Sequence, residues 1–347
     1  MNNNKKIIMI TGGAGYIGSV MTKMFLDKGY NVTCIDRFYF GFESIQSFLS
    51  NKHYNYVQKD IRSLSKKDFN NIDAVVDLAG ISNDPSCDLD ENLTEKINHQ
   101  GTVNVATTAK AAGVPKYIMA SSCSIYGASD GEPLNEKSYK KPVSFYAKSK
   151  IESENDILEL ASKEFAVTFL RLATVFGLSY RMRFDLIINI MTMFAFVKNK
   201  IMILGGGKQW RPLVHVKDVA KAFQSVIESK KELVNGEAFN VGSNDQNFQV
   251  YQVANIIKNT IPKEIEIELV PDDPDKRNYN VSFDKISNQL GYNTECSIED
   301  GINEIYEALI KGLVSPDDIK TVTVKYYKHL IDANITLDKI KIDGKLF

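Results

Sequence analysis

The sequence predicts an α/β fold: a doubly wound parallel sheet with helices on both faces, followed by a smaller mixed α/β C-terminal region. Three observations carry this reading. Short apolar runs alternate with segments of helical periodicity through the first half, the pattern of strands joined by crossover helices. The first run, Ile7 to Thr11, breaks into Gly12-Gly13-Ala14-Gly15-Tyr16-Ile17-Gly18. The second, Asn31 to Asp36, ends in a carboxylate.

Taken in order, strand 6–11 is apolar almost throughout, as a strand buried on both faces requires. The glycines after it permit a tight turn and bring backbone N–H groups to a pyrophosphate at a helix N-terminus, where the dipole favours anions. A helix over 16–28 stops at Gly29, and strand 31–36 puts Asp36 where a carboxylate can hold both adenosine ribose hydroxyls. That charge repels a 2′-phosphate and favours NAD over NADP, although the neighbouring Arg37 pulls the other way. A helix over 41–50, strands 54–57 and 73–79, a helix over 92–113 closed by Gly113 and Pro115, strand 116–121, a helix over 144–163 and strand 166–171 continue the alternation. Ligands gather beyond the carboxyl ends of such strands, so Asp36, Leu78 to Gly80 and Ser121 to Ser124 are expected in one crevice.

From about residue 175 the pattern loosens: a Gly205-Gly206-Gly207 turn, strand 211–216, helices over 217–229 and 249–260, strand 264–270, a polar loop over 271–280 and a helix over 299–310. Ser315-Pro316-Asp317-Asp318 predicts a helix start, with a Ser cap, proline at the first position and acids on the dipole, running to about Asp332. The stretch 334–347 carries no firm signal. The expected division is a dinucleotide-binding domain over 1–175, with later segments at about 211–245 returning to it, a substrate-binding region over 176–314, and a C-terminal helical extension over 315–347.

The 42 basic and 43 acidic side chains among 347 residues leave a net charge of −1, so no global field draws the chain to nucleic acid or membrane. Anionic ligands must be caught locally. Cys34, Cys87, Cys123 and Cys296 lack metal-ligand spacing, so no metal is expected, and a buried Cys34 suits a reducing cytoplasm. The N-terminal apolar run is too short for a signal peptide, and no segment approaches membrane-spanning length.

Tyr146 and Lys150 stand four residues apart, on one face of a helix. A fixed cation beside a phenol is expected to lower its pKa towards working pH and make it a usable acid/base. The segment Ser121-Ser122-Cys123-Ser124-Ile125-Tyr126-Gly127 delivers hydroxyls to the same crevice edge.

Together with Asp60-Ile61, Asp77-Leu78-Ala79-Gly80, Asn98 to Thr102 and Arg211 to Val216, these motifs resemble the extended short-chain dehydrogenases/reductases that act on nucleotide-diphosphate sugars, over roughly residues 5 to 310. The resemblance implies a Rossmann-type enzyme in which Tyr146 is the acid/base, Lys150 tunes it and binds ribose, and Ser122 orients the sugar oxygen, with Ser124 beside it. It implies NAD held by Gly12, Gly15, Tyr16, Ile17 and Gly18 at the pyrophosphate, Asp36 and Arg37 at the ribose, Asp60 and Ile61 at adenine, and Leu78, Ala79 and Gly80 near the nicotinamide. Arg211 and Arg277 match arginines that clamp the substrate diphosphate. Arg181 and Arg183 are further candidates for that role or for a structural pair with Asp185. Asn98 divides evenly between sheet and cofactor, and His215 reads as a satisfied core histidine. Relatives pair two such helices across a twofold axis, so a homodimer through helices 92–113 and 144–163 is the expectation.

Relatives that dehydrate carry Thr-Asp-Glu across the positions of Ser122, Cys123 and Ser124, and this chain lacks both carboxylates. Those that epimerise at C3 and C5 carry a cysteine where this chain has Ser124; Cys123 is one residue off and faces the other way. What remains is oxidation or reduction at C4 of the sugar, with a 4-epimerase retaining NAD as the alternative and a non-catalytic NAD sensor as a remote one. Asp77, where simple 4-epimerases commonly have histidine, and Ser82 to Pro85 turn the reading towards a C4 oxidoreductase of the branch acting on GDP-linked heptoses or deoxysugars for surface glycans.

Overall fold

Seven segments pair as one all-parallel sheet in the computed structural model, which describes residues 5–129, 132–271, 277–342 and 344–345. They are β1 (Ile7–Thr11), β2 (Asn31–Asp36), β3 (Tyr54–Gln58), β4 (Ala74–Asp77), β5 (Lys116–Ser122), β6 (Ala166–Leu172) and a last strand, Glu237–Val241. Across the sheet they run Glu237–Val241, β6, β5, β4, β1, β2, β3. The order reverses between β1 and β4, and crevices open at such reversals. The pleat sends Ile8 and Ile10 to one face, beneath helices Tyr16–Asp27 and Val216–Glu228, and Met9 to the other, beneath Thr102–Ala111 and Phe145–Leu158. Both faces are therefore core, as the unbroken apolar runs predict.

Beyond β6 the chain builds a smaller layer. Thr174–Phe176, Trp210–His215 and Asn247–Gln249 form a second sheet, and Lys200–Leu204 pairs in parallel with Glu266–Val270. Helices Ile187–Lys198, Val250–Thr260 and Ile298–Ile310 enclose a separate apolar cluster around Phe176, Ile201 and Ile257. Of the expected polar loop over 271–280, residues 272–276 lie outside the described residues. No helix among the described residues is long and apolar enough to cross a membrane.

Three of the expected helices take another form. The helix expected over 41–50 is a 3₁₀ run, Glu43–Phe48, because Phe38 and Gly41 adopt positive φ and the chain bends to bury Phe38, Ile45 and Phe48 together. The helix expected over 92–113 is broken into Glu91–Thr94, a π-helical turn Glu95–Gly101 and Thr102–Ala111. There the Asn98 amide bonds both main-chain groups of Ile81, and Ser153 donates to the Asn98 carbonyl (3.0 Å), drawing this turn out of register. On its outer side Glu95, His99 and Glu152 converge, with His99 bridging Glu95 and Asp156. The C-terminal helix begins at Thr323, not Ser315, and runs to Ile340. Ser315 caps only a turn, since residues 319–323 are drawn across the molecule: Phe184 donates to the Thr321 carbonyl (2.7 Å) and Lys320 pairs with Glu43.

Beneath the helix Phe145–Leu158, Glu154 accepts from Ser121 (2.6 Å), from Lys140 (2.9 Å) and from two nitrogens of Arg171 (2.9 and 2.7 Å). Both partners of the Glu154–Arg171 pair are almost fully buried. Elsewhere His215 is inaccessible: Nδ1 accepts from the Lys217 amide and Nε2 donates to Glu304, as expected of a satisfied core histidine. Burial pushes the Glu304 carboxyl up, but hydrogen bonds from His215 and Lys217 outweigh it and bring its pKa to about 2.

Two outcomes follow. Glu154→Ala, which strands a buried guanidinium, is expected to cost about 3–5 kcal/mol in urea unfolding. Glu304 titrates near 4.5 when unfolded, so the stability it lends is complete above that pH and lost as pH falls towards about 2. The stability gap between the wild type and Glu304→Gln, measured by urea titration, is expected to narrow between pH 7 and pH 3.

Candidate active site

The site starts at the end of β1. Gly12 turns the chain at φ +68°, and a Cβ there would lie 2.9 Å from the Ala79 nitrogen, so the loop can pass this close to the strand-β4 turn only as glycine. A Cβ on Gly18 would lie 2.4 Å from the Gly12 carbonyl, which fixes the helix Tyr16–Asp27 against the loop. Its N-terminal amides border the crevice. The Tyr16 hydroxyl donates to the Gly177 carbonyl (2.7 Å) and so ties the loop to the second layer.

At the end of β2, the Asp36 oxygens accept from the amides of Ala14 (3.1 Å) and Phe38 (2.8 Å). Burial pushes this carboxyl up and those amides oppose it. Arg37 pairs with Asp60 (2.7 Å), as does Arg62 (2.6 Å). Hydrogen bonds from the two arginines hold the Asp60 carboxyl well below its ordinary range. Arg37 is thereby engaged, which weakens its claim on a 2′-phosphate.

One cleft of about 300 Å³ is lined by Gly12, Gly15, Tyr16, Ile17 and Gly18, by Asp36, Arg37, Asp60 and Ile61, and by Leu78, Ala79 and Gly80. Ser122, Ser124, Tyr146, Lys150, Arg181, Arg183 and Arg277 line the same cleft. Arg211 does not. Its guanidinium donates to the carbonyls of Trp210 (2.9 Å) and Arg277 (2.5 Å), holding the main chain of its neighbour from behind. Asn98 too stands outside the lining, pinning the turn after β4.

At the chemical end, Ser144 caps the helix carrying Tyr146 and Lys150. The Lys150 ammonium donates to the Ala120 carbonyl (2.9 Å) and lies 5.7 Å from the centre of the Tyr146 ring. Burial lowers the lysine pKa, opposed by Asp77. The expected acidification of Tyr146 does not appear: burial, then the charges of Cys87 and Asp84, push the phenol up, opposed by Arg183 and a hydrogen bond with Ser122. Desolvation outweighs both. The Ser122 hydroxyl accepts from the Ser124 amide (3.1 Å), while the buried Ser124 hydroxyl has no hydrogen-bond partner among the described residues. Cys123 faces away and donates to the Arg171 carbonyl.

Charged groups flank this end in pairs. Arg183 is clamped on Asp185 (2.8 and 3.0 Å) and donates to Ser82 (3.2 Å), while Arg277 pairs with Asp84 (3.0 Å). Asn83, at φ 77° and ψ 153°, donates to Asp185 (2.7 Å). Tyr39, Phe40, Thr174, Tyr279 and Tyr327 also line the cleft and carry no mark in the sequence that singles them out.

A cleft at the sheet's reversal, with a glycine cradle, a buried acid after β2 and a Ser–Tyr–Lys set, defines an NAD-dependent enzyme of the short-chain dehydrogenase type. The chain belongs to the NAD dependent epimerase/dehydratase family, whose model matches residues 8–242. It is 27% identical over 319 residues to dTDP-D-glucose 4,6-dehydratase of Mus musculus, covering 87% of this chain and 88% of that one. It is 24% identical over 320 residues to UDP-glucuronic acid decarboxylase 1 of Danio rerio, covering 89% and 74%. Among solved structures, UDP-glucuronic acid 4-epimerase from Bacillus cereus, in complex with UDP-glucuronic acid and NAD, superposes with a TM-score of 0.76 at 24% identity, covering 89% of this chain and 100% of that one.

With Asp36 facing the cleft and Arg37 engaged, NAD is expected to bind at least about tenfold more tightly than NADP in calorimetric titration.

Proposed function

We propose that the protein transfers a hydride at C4 of a nucleotide-diphosphate sugar, as a 4-dehydrogenase or 4-ketoreductase in the synthesis of surface-glycan precursors. The observation that carries this reading is that Ser122, Tyr146 and Lys150 meet at one end of the cleft whose other end holds Asp36 and the glycine cradle. NAD bound there supplies the hydride acceptor, or in reduced form the donor. In the reducing direction the Tyr146 phenol gives its proton to the C4 oxygen as that carbon receives hydride and is left as phenolate; in the oxidising direction that phenolate takes the proton of the C4 hydroxyl as the carbon becomes a ketone. Ser122 orients the same oxygen, and the free Ser124 hydroxyl is available to a neighbouring sugar hydroxyl. Lys150, fixed by the Ala120 carbonyl, holds positive charge next to the ring that becomes phenolate.

Dehydration finds less support. Among the described residues lining the cleft the carboxylates are Asp36 and Asp60, both at the far end, so elimination lacks the additional acid and base it needs. A 4-epimerase that keeps NAD bound is the second reading, favoured by the epimerases among structures of this fold. In either case Arg277 and Arg183 are our candidates for the substrate diphosphate, and a GDP-linked heptose or deoxysugar is our candidate substrate. The division of labour we propose gives residues 1–175 and about 211–245 to the dinucleotide and 176–314 to the sugar nucleotide. A homodimer through helices 92–113 and 144–163 belongs to the same reading, with sedimentation at micromolar concentration as its check.

Tyr146→Phe is expected to leave the Kd for NAD within about twofold while cutting turnover at least about a hundredfold. Co-purified sugar nucleotides, identified by native mass spectrometry, supply the substrate for that assay. Near-wild-type turnover would remove Tyr146 from the mechanism.

A further inference from the structure

The C-terminal segment enters the cleft. Thr323 is almost fully buried, its amide donates to Asp185 (3.3 Å), and its hydroxyl accepts from Nη2 of Arg181 (3.2 Å). One turn later Tyr327 lines the cleft beside Asp36, Arg37 and Tyr39. Its ring meets Tyr39 edge-on at 6.1 Å and Phe40 at 5.4 Å, and Tyr326 lies 5.1 Å from Phe40. The Arg181 guanidinium sits 3.6 Å over the Phe40 ring. Arg181 is itself 8% exposed and lines the cleft, and its Nε has no hydrogen-bond partner among the described residues.

A buried cationic N–H left without an acceptor is costly, and a cleft is where an anionic acceptor can arrive. The sequence groups Arg181 with Arg183 as a candidate for the substrate, but the two point to different ends. Arg183 is clamped by Asp185 next to Ser82, whereas Arg181 is held by Phe40 and Thr323 on the side of Asp36. We propose that Arg181 and Tyr327 are dinucleotide-binding residues: the free Nε–H of Arg181 bonds an oxygen of the pyrophosphate, and Tyr327 covers the adenosine ribose beside Asp36. The segment 319–327 is then a strap that completes the ADP-ribose half of the site, tied down by Phe184, Glu43 and Asp185. This rests on the NAD reading of the cleft.

Calorimetric titration of the full chain with NAD and with ADP-ribose tests it, using Arg181→Met, Arg181→Lys, Tyr327→Ala and Tyr327→Phe, with thermal melting of each unliganded variant as the check on folding. Arg181→Met is expected to weaken both ligands about ten- to a hundredfold, the scale of a hydrogen bond to a charged group. Arg181→Lys is expected to recover only part of this, because an ammonium keeps the charge but not the planar donor. Tyr327→Ala is expected to weaken both about tenfold, and Tyr327→Phe a few-fold. If either large truncation melts below the assay temperature, the two conservative variants decide by the same criterion. Wild-type affinities in folded variants overturn the proposal. Asp36→Ala separates the levels: if it too leaves NAD binding unchanged the dinucleotide reading fails, and if it alone weakens NAD only the strap's role fails.

Discussion

The buried ion pair between Glu154 and Arg171 is the constraint on which the chemical end of the molecule rests. Removing two charges from water costs several kcal/mol each, and their attraction repays this only with good geometry and further hydrogen bonds. Here Glu154 takes two bonds from the guanidinium, one from Lys140 and one from Ser121, and Arg171 also reaches the Tyr126 hydroxyl. The pair locks the helix Phe145–Leu158 to β5 and β6. Lys150 lies one turn earlier on that helix and Ser122 one residue beyond Ser121, so their separation is set by the same contact. Tyr146, a further turn back, inherits its position from it.

A second constraint is electrical. The chain is almost neutral, so anionic ligands must be drawn by single arginines, and an isolated buried guanidinium is expensive. At the cleft the cost is reduced by pairing: the buried Arg183 with Asp185 and the half-buried Arg277 with Asp84. A guanidinium has five donors, and one carboxylate leaves donors over for a ligand. Pairing also fixes the planar fork in place, so less side-chain entropy remains to be lost on binding. Arg181 is the exception, supported by an aromatic face and a threonine hydroxyl in place of a carboxylate.

How much of this could be read from the residues follows from how far apart the causes lie. β1, its glycine loop and Asp36 were legible because strand, turn and acid are consecutive and each residue type has a local reason. The Tyr146–Lys150 pair was legible as geometry, since four residues make one turn. Its electrostatics were not: the sign of the lysine's effect is local, but desolvation depends on what the tertiary fold lays over the ring, and here it prevails. The π-helical turn needed Asn98 to find Ile81, and the late start of the C-terminal helix needed Thr321 to find Phe184, 137 positions away in sequence. Arg211 had the right residue type for a phosphate clamp. Its guanidinium instead meets the main chain of Arg277, a contact 66 positions away that no local pattern signals.

Asp185 joins three separate parts of the chain. Its carboxylate accepts from Arg183, from Asn83 and from the Thr323 amide, so the loop after β4, the arginine at the chemical end and the root of the C-terminal strap share one acceptor. Asn83 occupies a backbone region that glycine alone visits freely, at a cost of about 1–3 kcal/mol. Such a conformation persists only where its surroundings over-determine it, and here the Asn83 side chain both caps the short helix Asp84–Cys87 and bonds Asp185. Those bonds set Asp84 where it meets Arg277 and the Ser144 cap of the helix Phe145–Leu158. Contacts made by Thr323 thus reach the helix of Tyr146 through two carboxylates, Asp185 and Asp84, with the strained Asn83 between them, and both ends of the cleft hang on that one chain of hydrogen bonds.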